Sequence, residues 1–309
     1  MPANFSATRA ALESGVDPLP ATGTQPVDTA AADRVTGLDA LERIQTDATP
    51  LGVRIWRSAW PKLLAIAIVI LAWQIVVWSA LKPEYVLPGP GTVFADLKNL
   101  IVTGDFWDGV RLTMIRAVSG FCFAVVLGTL IGAAVSRFAP LRAAIGSLIT
   151  GLQTMPSIMW FPLAILLFQI SESAIFFVVI IGATPSVANG LISGIDYVPR
   201  TWLRVGQVLG MKGFAKYRHL ILPASLPSFI SGLKQGWAFS WRSLMAGELL
   251  VIVPGALSIG VRMQNARDLN DASLVICYII VVLVIGILID VLFNAADNAL
   301  RKRWGLTGS

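Results

Sequence analysis

Charge, histidine and cysteine are all scarce in this chain. Charged residues make up 14% of its 309 residues, whereas hydrophobic residues make up 55%. The single histidine, His219, argues against a histidine-based metal site or catalytic triad. Cys122 and Cys277 both lie in apolar runs, where a free thiol acts as a small hydrophobic side chain. No Ser-His-Asp, paired-Asp or HExxH arrangement occurs, so the sequence predicts neither an intramembrane enzyme nor a metal site.

The phosphate-binding pattern GxxxxGK[ST] is also absent from the sequence. That glycine-rich loop is the usual means by which a chain holds the phosphates of ATP. We therefore expect no cofactor on this chain, and any ATP with its magnesium must sit on a separate subunit.

The chain contains long runs without a single charged residue. About 20 apolar residues are enough for a helix to cross the hydrocarbon core of a bilayer. Five uncharged runs meet or nearly meet that length, at residues 63–81, 117–136, 143–171, 173–195 and 272–289. A sixth apolar stretch, 220–261, is interrupted by Lys234, Arg242 and Glu248. The alternating ten-residue segments of a membrane barrel are absent, so the expected fold is all-α, with six transmembrane helices.

The distribution of basic residues predicts the orientation of these helices. Residues 1–50 carry a net charge of −4, so the rest of the chain carries +10. If the flank before the first span is cytoplasmic, thirteen Lys and Arg residues fall inside and five outside, as the positive-inside rule requires. Both termini are then cytoplasmic, and the basic balance needs no nucleic-acid partner.

The same reading divides the chain into four parts. Residues 1–55 are a disordered cytoplasmic tail, with a regulatory or docking arm as the alternative, because their composition is polar and not periodic. Residues 56–81 hold the first transmembrane helix with its basic flank. Residues 82–111 form an external loop with a short interfacial helix beginning near Thr92. Residues 112–309 form a core of five transmembrane helices.

Prolines and glycines mark the middle of this core. Pro156 and Pro162 predict a kink or break in the third span. The fourth span contains Gly182, Pro185 and further glycines. Such residues either allow close helix packing or line a cavity, and their clustering in two adjacent spans favours a cavity between them.

The most informative segment is the basic stretch 200–219, which the predicted topology places between two spans. Gly210 can end a short helix at a positive φ angle, and Pro223 and Pro227 suit the first turn of the next helix. Arg204-Val205-Gly206 is followed after three residues by Gly210, and nine residues later by Leu220-Ile221-Leu222-Pro223. An ordinary basic cytoplasmic loop is the alternative interpretation.

This spacing resembles the signature of ABC importer permeases of the nitrate, sulfonate, taurine and bicarbonate group, which is Glu-Ala-Ala, three residues, Gly, nine residues, Ile-x-Leu-Pro. The glycine and Leu-Pro positions match, whereas Arg204 occupies the glutamate position. Val86-Leu87-Pro88-Gly89-Pro90, the proline-containing third span and the basic C-terminal end DNALRKRW also resemble that group. The resemblance covers roughly residues 81–307.

The resemblance implies a permease subunit in a bacterial plasma (inner) membrane. Its partners are a second permease copy, two ATP-binding cassette ATPases and an extracytoplasmic solute-binding protein. The expected solute is a small oxyanion, in the first place an alkanesulfonate or taurine, with nitrate and bicarbonate as alternatives. The ATPase-coupling residues it implies are Leu203, Arg204, Val205, Gly206, Leu209, Gly210, Met211, Lys212, Leu222 and Pro223.

Charged residues within spans are candidates for the translocation path, because their burial in lipid is costly. Arg242 is the clearest candidate, since an arginine fork binds oxyanions bidentately. The alternative is a structural ion pair with Glu172, Asp290 or an acid of a partner subunit. Glu248, Met155, Trp160 and Met245 complete the predicted path. A stand-alone secondary transporter is the alternative function, although the repeated halves common in such proteins are not apparent.

Overall fold

A computed structural model describes residues 51–303, and every regular element in that range is helical. The chain divides into two compact units, Met1–Ala65 and Ile66–Ser309. Of the first unit only 51–65 are described, and the predicted tail otherwise lies outside the described residues. The α-helices are α1 (Leu51–Trp78), α2 (Pro90–Val102), α3 (Gly104–Arg137), α4 (Ala139–Thr154), α5 (Phe161–Phe168), α6 (Glu172–Asp196), α7 (Arg200–Val208), α8 (Gly213–Lys216), α9 (Leu222–Leu250), α10 (Ile259–Asp268) and α11 (Ala272–Arg303).

Four of these helices are long and apolar enough to cross a membrane. The candidate spans are Ala59–Trp78, Gly104–Arg137, Glu172–Asp196 and Ala272–Leu300. A bent pair, Pro140–Thr154 with Ser157–Phe168, makes five if it counts as one span. The all-helical prediction is confirmed for residues 51–303, whereas the number six stays a prediction.

The predicted fifth span corresponds to α9, which has 29 residues but does not reach the apolar content of the other spans. It carries Lys234, Arg242 and Glu248 together with several serines and glycines. These residues lower its hydropathy, and they also give it specific contacts with its neighbours. Composition alone therefore underestimates a helix whose small and polar residues, including Ser240, Ser243 and Glu248, are buried against the protein.

The loop between α1 and α3 contains the predicted short helix, α2. It begins at Pro90, two residues before the predicted Thr92, with proline in its first turn, where the missing N–H is not needed. Asp96 accepts a hydrogen bond from the Ser273 hydroxyl, and Cys277 Sγ donates to the Val93 carbonyl (3.3 Å). These contacts hold α2 against the first turns of α11.

The third predicted span is broken where its prolines indicate. Helix α4 ends at Thr154, and a 3₁₀ turn, Ser157–Trp160, leads into α5, whose first turn contains Pro162. The two halves of the span meet at an angle of 105°. Pro185, in contrast, lies inside the continuous helix α6. The break predicted at Pro156 and Pro162 is therefore confirmed.

Helices α3, α6 and α9 form the centre of the fold, with α6 between the other two. Their backbones approach closely at glycines: a Cβ atom on Gly190 of α6 would lie 2.6 Å from the Cα of Gly232 in α9. A Cβ atom on Gly128 of α3 would lie 2.9 Å from the Thr184 carbonyl oxygen of α6. Small residues at helix contacts are typical of membrane bundles, because they let backbones come together. Part of the glycine pattern in the fourth span therefore serves packing.

Candidate functional site

The predicted coupling segment is a short helix that ends in a defined C-cap. The N–H of Gly210 donates to the Gln207 carbonyl (3.0 Å), and the N–H of Met211 donates to the Gly206 carbonyl (2.9 Å). Gly210 has φ +73°. These two hydrogen bonds and the left-handed glycine make a Schellman motif, which ends α7 and reverses the chain. The positive φ angle expected at Gly210 is confirmed.

One face of α7 is apolar and has no cover in the described chain. Trp202, Val205 and Leu209 are all exposed, and Val208 is 88% exposed. The opposite side packs inward: Gly206 is buried, and a Cβ atom there would lie 2.9 Å from Leu220 Cδ2. Leu203 and Met211 are half-buried, whereas Arg204 and Lys212 are exposed. The segment therefore divides into an inner packing face and an outer face of aliphatic and aromatic side chains.

The chain returns from this segment into α9 through a π-helical turn, Tyr217–Ile221. Pro223 lies in the first turn of α9, and Leu222 beside it is exposed. Pro227 lies further inside the helix than expected. The segment is thus held at both ends, by the C-terminus of α6 before it and by the N-terminus of α9 after it.

Buried charges meet at the opposite end of the bundle. Arg116 of α3 is 3% exposed, and its Nη1 donates to Glu248 Oε1 of α9 (3.0 Å), while Glu248 itself is 0% exposed. The Arg116 Nε donates to Glu172 Oε2 at the start of α6 (2.8 Å), and its Nη2 pairs with Glu172 Oε1. One guanidinium therefore connects three helices.

The Glu248 carboxylate accepts hydrogen bonds from two further donors. It accepts from the Thr113 hydroxyl (3.0 and 3.1 Å) and from the Gly260 N–H at the start of α10 (3.0 Å). Thr113 Oγ1 in turn accepts from the Ile259 N–H (3.0 Å). A carboxylate at a helix N-terminus is favourably placed relative to the helix dipole. The sequence reasoning missed this network, although Arg116 and Glu248 each stand out as charges beside apolar runs.

Arg242 lies on an exposed face of α9 and has no ion pair within residues 51–303. Its guanidinium stacks on the Phe239 ring (4.7 Å to the centroid), and its Nε donates to the Ala238 carbonyl (3.0 Å). The two partners in this chain that the sequence suggested are engaged elsewhere. Glu172 pairs with Arg116, and Asp290 pairs with Lys234 (3.0 Å).

The remaining predicted path residues do not form one cluster. Met155 is exposed at the break between α4 and α5. Trp160 and Met245 are half-buried and pack against the core that includes Phe161 and Leu244. Glu248 belongs to the buried ion network. The structure thus separates a charged, buried group from the exposed Arg242 on the same helix.

Comparison with known proteins gives this arrangement a family. Residues 124–302, more than half of the chain, match the family described as the binding-protein-dependent transport system inner membrane component. In fold, the chain is similar to a chain in an inward-facing structure of the MetNI methionine ABC transporter. The TM-score is 0.54 at 16% identity, covering 62% of this chain and 94% of that one.

Two curated relatives are similar over most of their length. The putative aliphatic sulfonates transport permease protein SsuC of Bacillus subtilis is 28% identical over 247 residues, which is 80% of this chain and 88% of SsuC. The bicarbonate transport system permease protein CmpB of Synechococcus elongatus is 26% identical over 265 residues, which is 81% of this chain and 94% of CmpB. The chain therefore belongs to the binding-protein-dependent ABC transporter permeases, the inner membrane components of these transport systems.

Proposed function

We propose that this chain is the permease subunit of an ATP-driven importer and that α7 is its docking element for the ATPase. The observation that carries this proposal is the helix 200–208. It is closed by a glycine Schellman motif, held between two long helices, and has exposed Trp202, Val205 and Val208. An amphipathic helix of this kind fits a groove on a partner protein. The family match supports an importer, and because the sequence contains no P-loop, we place ATP hydrolysis on a separate subunit.

The charges around α7 favour an acidic partner surface. Arg200, Arg204, Lys212, Lys216 and Arg218 make no ion pair within the described chain. Complementary charges steer and orient protein association. Because an arginine replaces the family glutamate at position 204, we expect the ATPase of this system to present a carboxylate opposite that position.

The solute that we propose is a small oxyanion, with an organosulfonate favoured over nitrate and bicarbonate. Similarity to permeases named for sulfonates and for bicarbonate supports this class. Arg242 is the proposed anion contact, with Met155, Trp160 and Met245 along the path. We leave Glu248 out of the path, because its carboxylate is enclosed by Arg116 and Thr113.

The proposed assembly contains two permease copies and two ATPases, and it receives solute from an extracytoplasmic binding protein. We propose that both termini and α7 face the cytoplasm of a bacterial cell. In this arrangement six helices cross the membrane, with α9 as the fifth. Lipid does not have to cover Arg242 or the other polar side chains on the exposed face of α9, since a second copy or the aqueous path faces them.

Purification of the detergent-solubilised chain from its own cells tests the docking proposal. We expect a P-loop ATPase to be recovered at about one copy per permease, as the proposed assembly requires. Gly210→Val should abolish ATP-driven uptake and ATPase recovery, because a β-branched residue at φ +73° is strained. Gly210→Asn, which tolerates that conformation, should retain both.

Membrane insertion should be unaffected in both variants, because nothing lies within 4 Å of the Gly210 Cβ position. Normal uptake by Gly210→Val would contradict the coupling role of this segment. Solute uptake into sealed vesicles by the chain alone, without ATP, would instead identify a stand-alone secondary transporter.

A further inference from the structure

A pocket of about 210 Å³ lies between the middle parts of α9 and α11. Its lining includes Lys234, Trp237, Trp241, Arg242, Gly286 and Asp290. A charged residue inside a membrane helix is a candidate for function, because its insertion is costly. This pocket brings two cations to one space and is separate from the coupling segment and the buried Glu248 network.

The cations of the pocket are not fully neutralised. Lys234 Nζ pairs with Asp290 Oδ1 (3.0 Å) and donates to Asn294 Oδ1 (2.8 Å). The other carboxylate oxygen of Asp290 accepts from Asn294 Nδ2 (2.8 Å). Arg242 has no carboxylate partner in the described chain, so the lining retains one positive charge.

The pocket offers hydrogen-bond donors but few free acceptors. The Arg242 Nε is used by the Ala238 carbonyl, which leaves the two terminal nitrogens of the guanidinium available. Both carboxylate oxygens of Asp290 are already engaged. A ligand that satisfies these donors must supply acceptor oxygens and a negative charge.

Aromatic rings form the rest of the wall. Trp237 and Trp241 are stacked at 15° with ring centroids 6.4 Å apart, and Phe293 lies 6.2 Å from Trp237. Gly286 faces Trp241, and a Cβ atom on it would lie 3.5 Å from Trp241 Nε1. The glycine therefore leaves space beside the indole. Such a surface suits an apolar group, which an inorganic anion such as nitrate lacks.

We propose that this pocket is a binding site for a small organic oxyanion of the alkanesulfonate type. The oxygens of the head group bind the terminal nitrogens of the Arg242 guanidinium, and the alkyl chain packs against the Trp241 and Phe293 rings beside Gly286. The proposal rests on the proposed function in that the solute is an anion, and it adds that the permease itself selects for an apolar body.

Calorimetric titration of the full chain in phosphatidylcholine nanodiscs tests the site without ATPase or binding protein. The probes are butane-1-sulfonate and nitrate. Arg242→Gln removes the charge, and Gly286→Leu fills the space beside Trp241 at an ordinary contact distance. Arg111→Gln and Gly146→Leu are the matched controls, because Arg111 is exposed without an ion pair and no atom lies within 4 Å of the Gly146 Cβ position.

We expect the wild-type chain to bind butane-1-sulfonate and each pocket variant to bind it about tenfold more weakly or worse. Arg242→Gln loses a charge-assisted hydrogen bond, and Gly286→Leu occupies the space of the alkyl chain. The controls should stay within about twofold of the wild type. Nitrate should bind more weakly than the sulfonate and should be insensitive to Gly286→Leu.

Absence of binding to the wild type, or equal binding by all variants, would overturn the site. Equal affinity for nitrate and the sulfonate would overturn the apolar subsite. These results are distinct from failure of the proposed function, which appears as loss of ATP-driven uptake in the complete transporter even when binding to the chain is intact.

Discussion

Arg116 is the residue on which the buried polar contacts of the bundle depend. It is shared by Glu172, whose side chain is 43% exposed, and Glu248, which is fully buried. Removal of Glu248 would leave Arg116 paired with Glu172, but it would leave buried donors without an acceptor, and each such donor costs about 1–3 kcal/mol. Glu248 is the member whose loss frees most donors, namely the guanidinium, the Thr113 hydroxyl and the Gly260 N–H.

We therefore predict that Glu248→Ala lowers the free energy of unfolding by roughly 3–5 kcal/mol. Asp196→Ala is the matched control, because Asp196 pairs with Arg142 on the surface, where both side chains are more than two-fifths exposed. Loss of that exposed pair should cost at most about 1 kcal/mol. Thermal unfolding of the solubilised variants measures the difference, and equal shifts for both would show that the buried network does not stabilise the fold.

At the scale of the helices, contact between α6 and α9 depends on residues without side chains. A Cβ atom on Gly190 would meet the backbone of Gly232, where no flexible side chain can move aside. We predict that Gly190→Ala destabilises the solubilised chain by about 1–3 kcal/mol, the range typical of overpacking.

Gly151→Ala in α4 is the control for Gly190→Ala, since no atom lies within 4 Å of its Cβ position. That substitution should be neutral or slightly stabilising, because alanine favours a helix. The fraction that elutes as folded protein in size-exclusion chromatography after heating distinguishes the two variants. If Gly190→Ala is as heat-resistant as Gly151→Ala, the close approach of the two backbones is not required.

At the scale of the whole molecule, the orientation of the bundle follows from the basic residues near α7. In a chain with Cys122→Ser and Cys277→Ser, we predict that a single cysteine introduced as Arg218→Cys is protected from a membrane-impermeant thiol reagent in intact cells. Lys98→Cys, in α2 at the opposite end of the bundle, should react. The pattern should reverse in inside-out vesicles, and labelling of Arg218→Cys in intact cells would invert the proposed topology.

The features of this structure that the sequence predicted correctly are those determined by a few residues close together in the chain. The break between α4 and α5 follows from Pro156 and Pro162, because proline removes a helical hydrogen bond whatever the tertiary contacts are. The Schellman end at Gly210 is local in the same way. The known spacing between the glycine and the Leu-Pro pair indicated the family.

The contacts of the charged residues were beyond local reasoning. Arg116 and Glu248 are 132 residues apart in sequence, and only the packing of α3 against α6 and α9 brings them together. Sequence alone assigned Glu248 to the translocation path. In an apolar run of sequence, a charge that forms a buried ion pair cannot be distinguished from a charge that lines a path. The pairing of Lys234 with Asp290 likewise depends on how α9 lies against α11.

The attachment of α7 has a mechanical consequence. Its two anchors, the end of α6 and the start of α9, touch backbone to backbone: a Cβ atom on Gly194 would lie 2.6 Å from the Ser225 carbonyl oxygen. If the ATPase displaces α7, as we propose, the displacement reaches both helices at once, because their backbones are already in contact at Gly190 and Gly194. In the proposed mechanism, two residues without side chains, Gly190 and Gly194, thus set how a movement of α7 passes into the bundle.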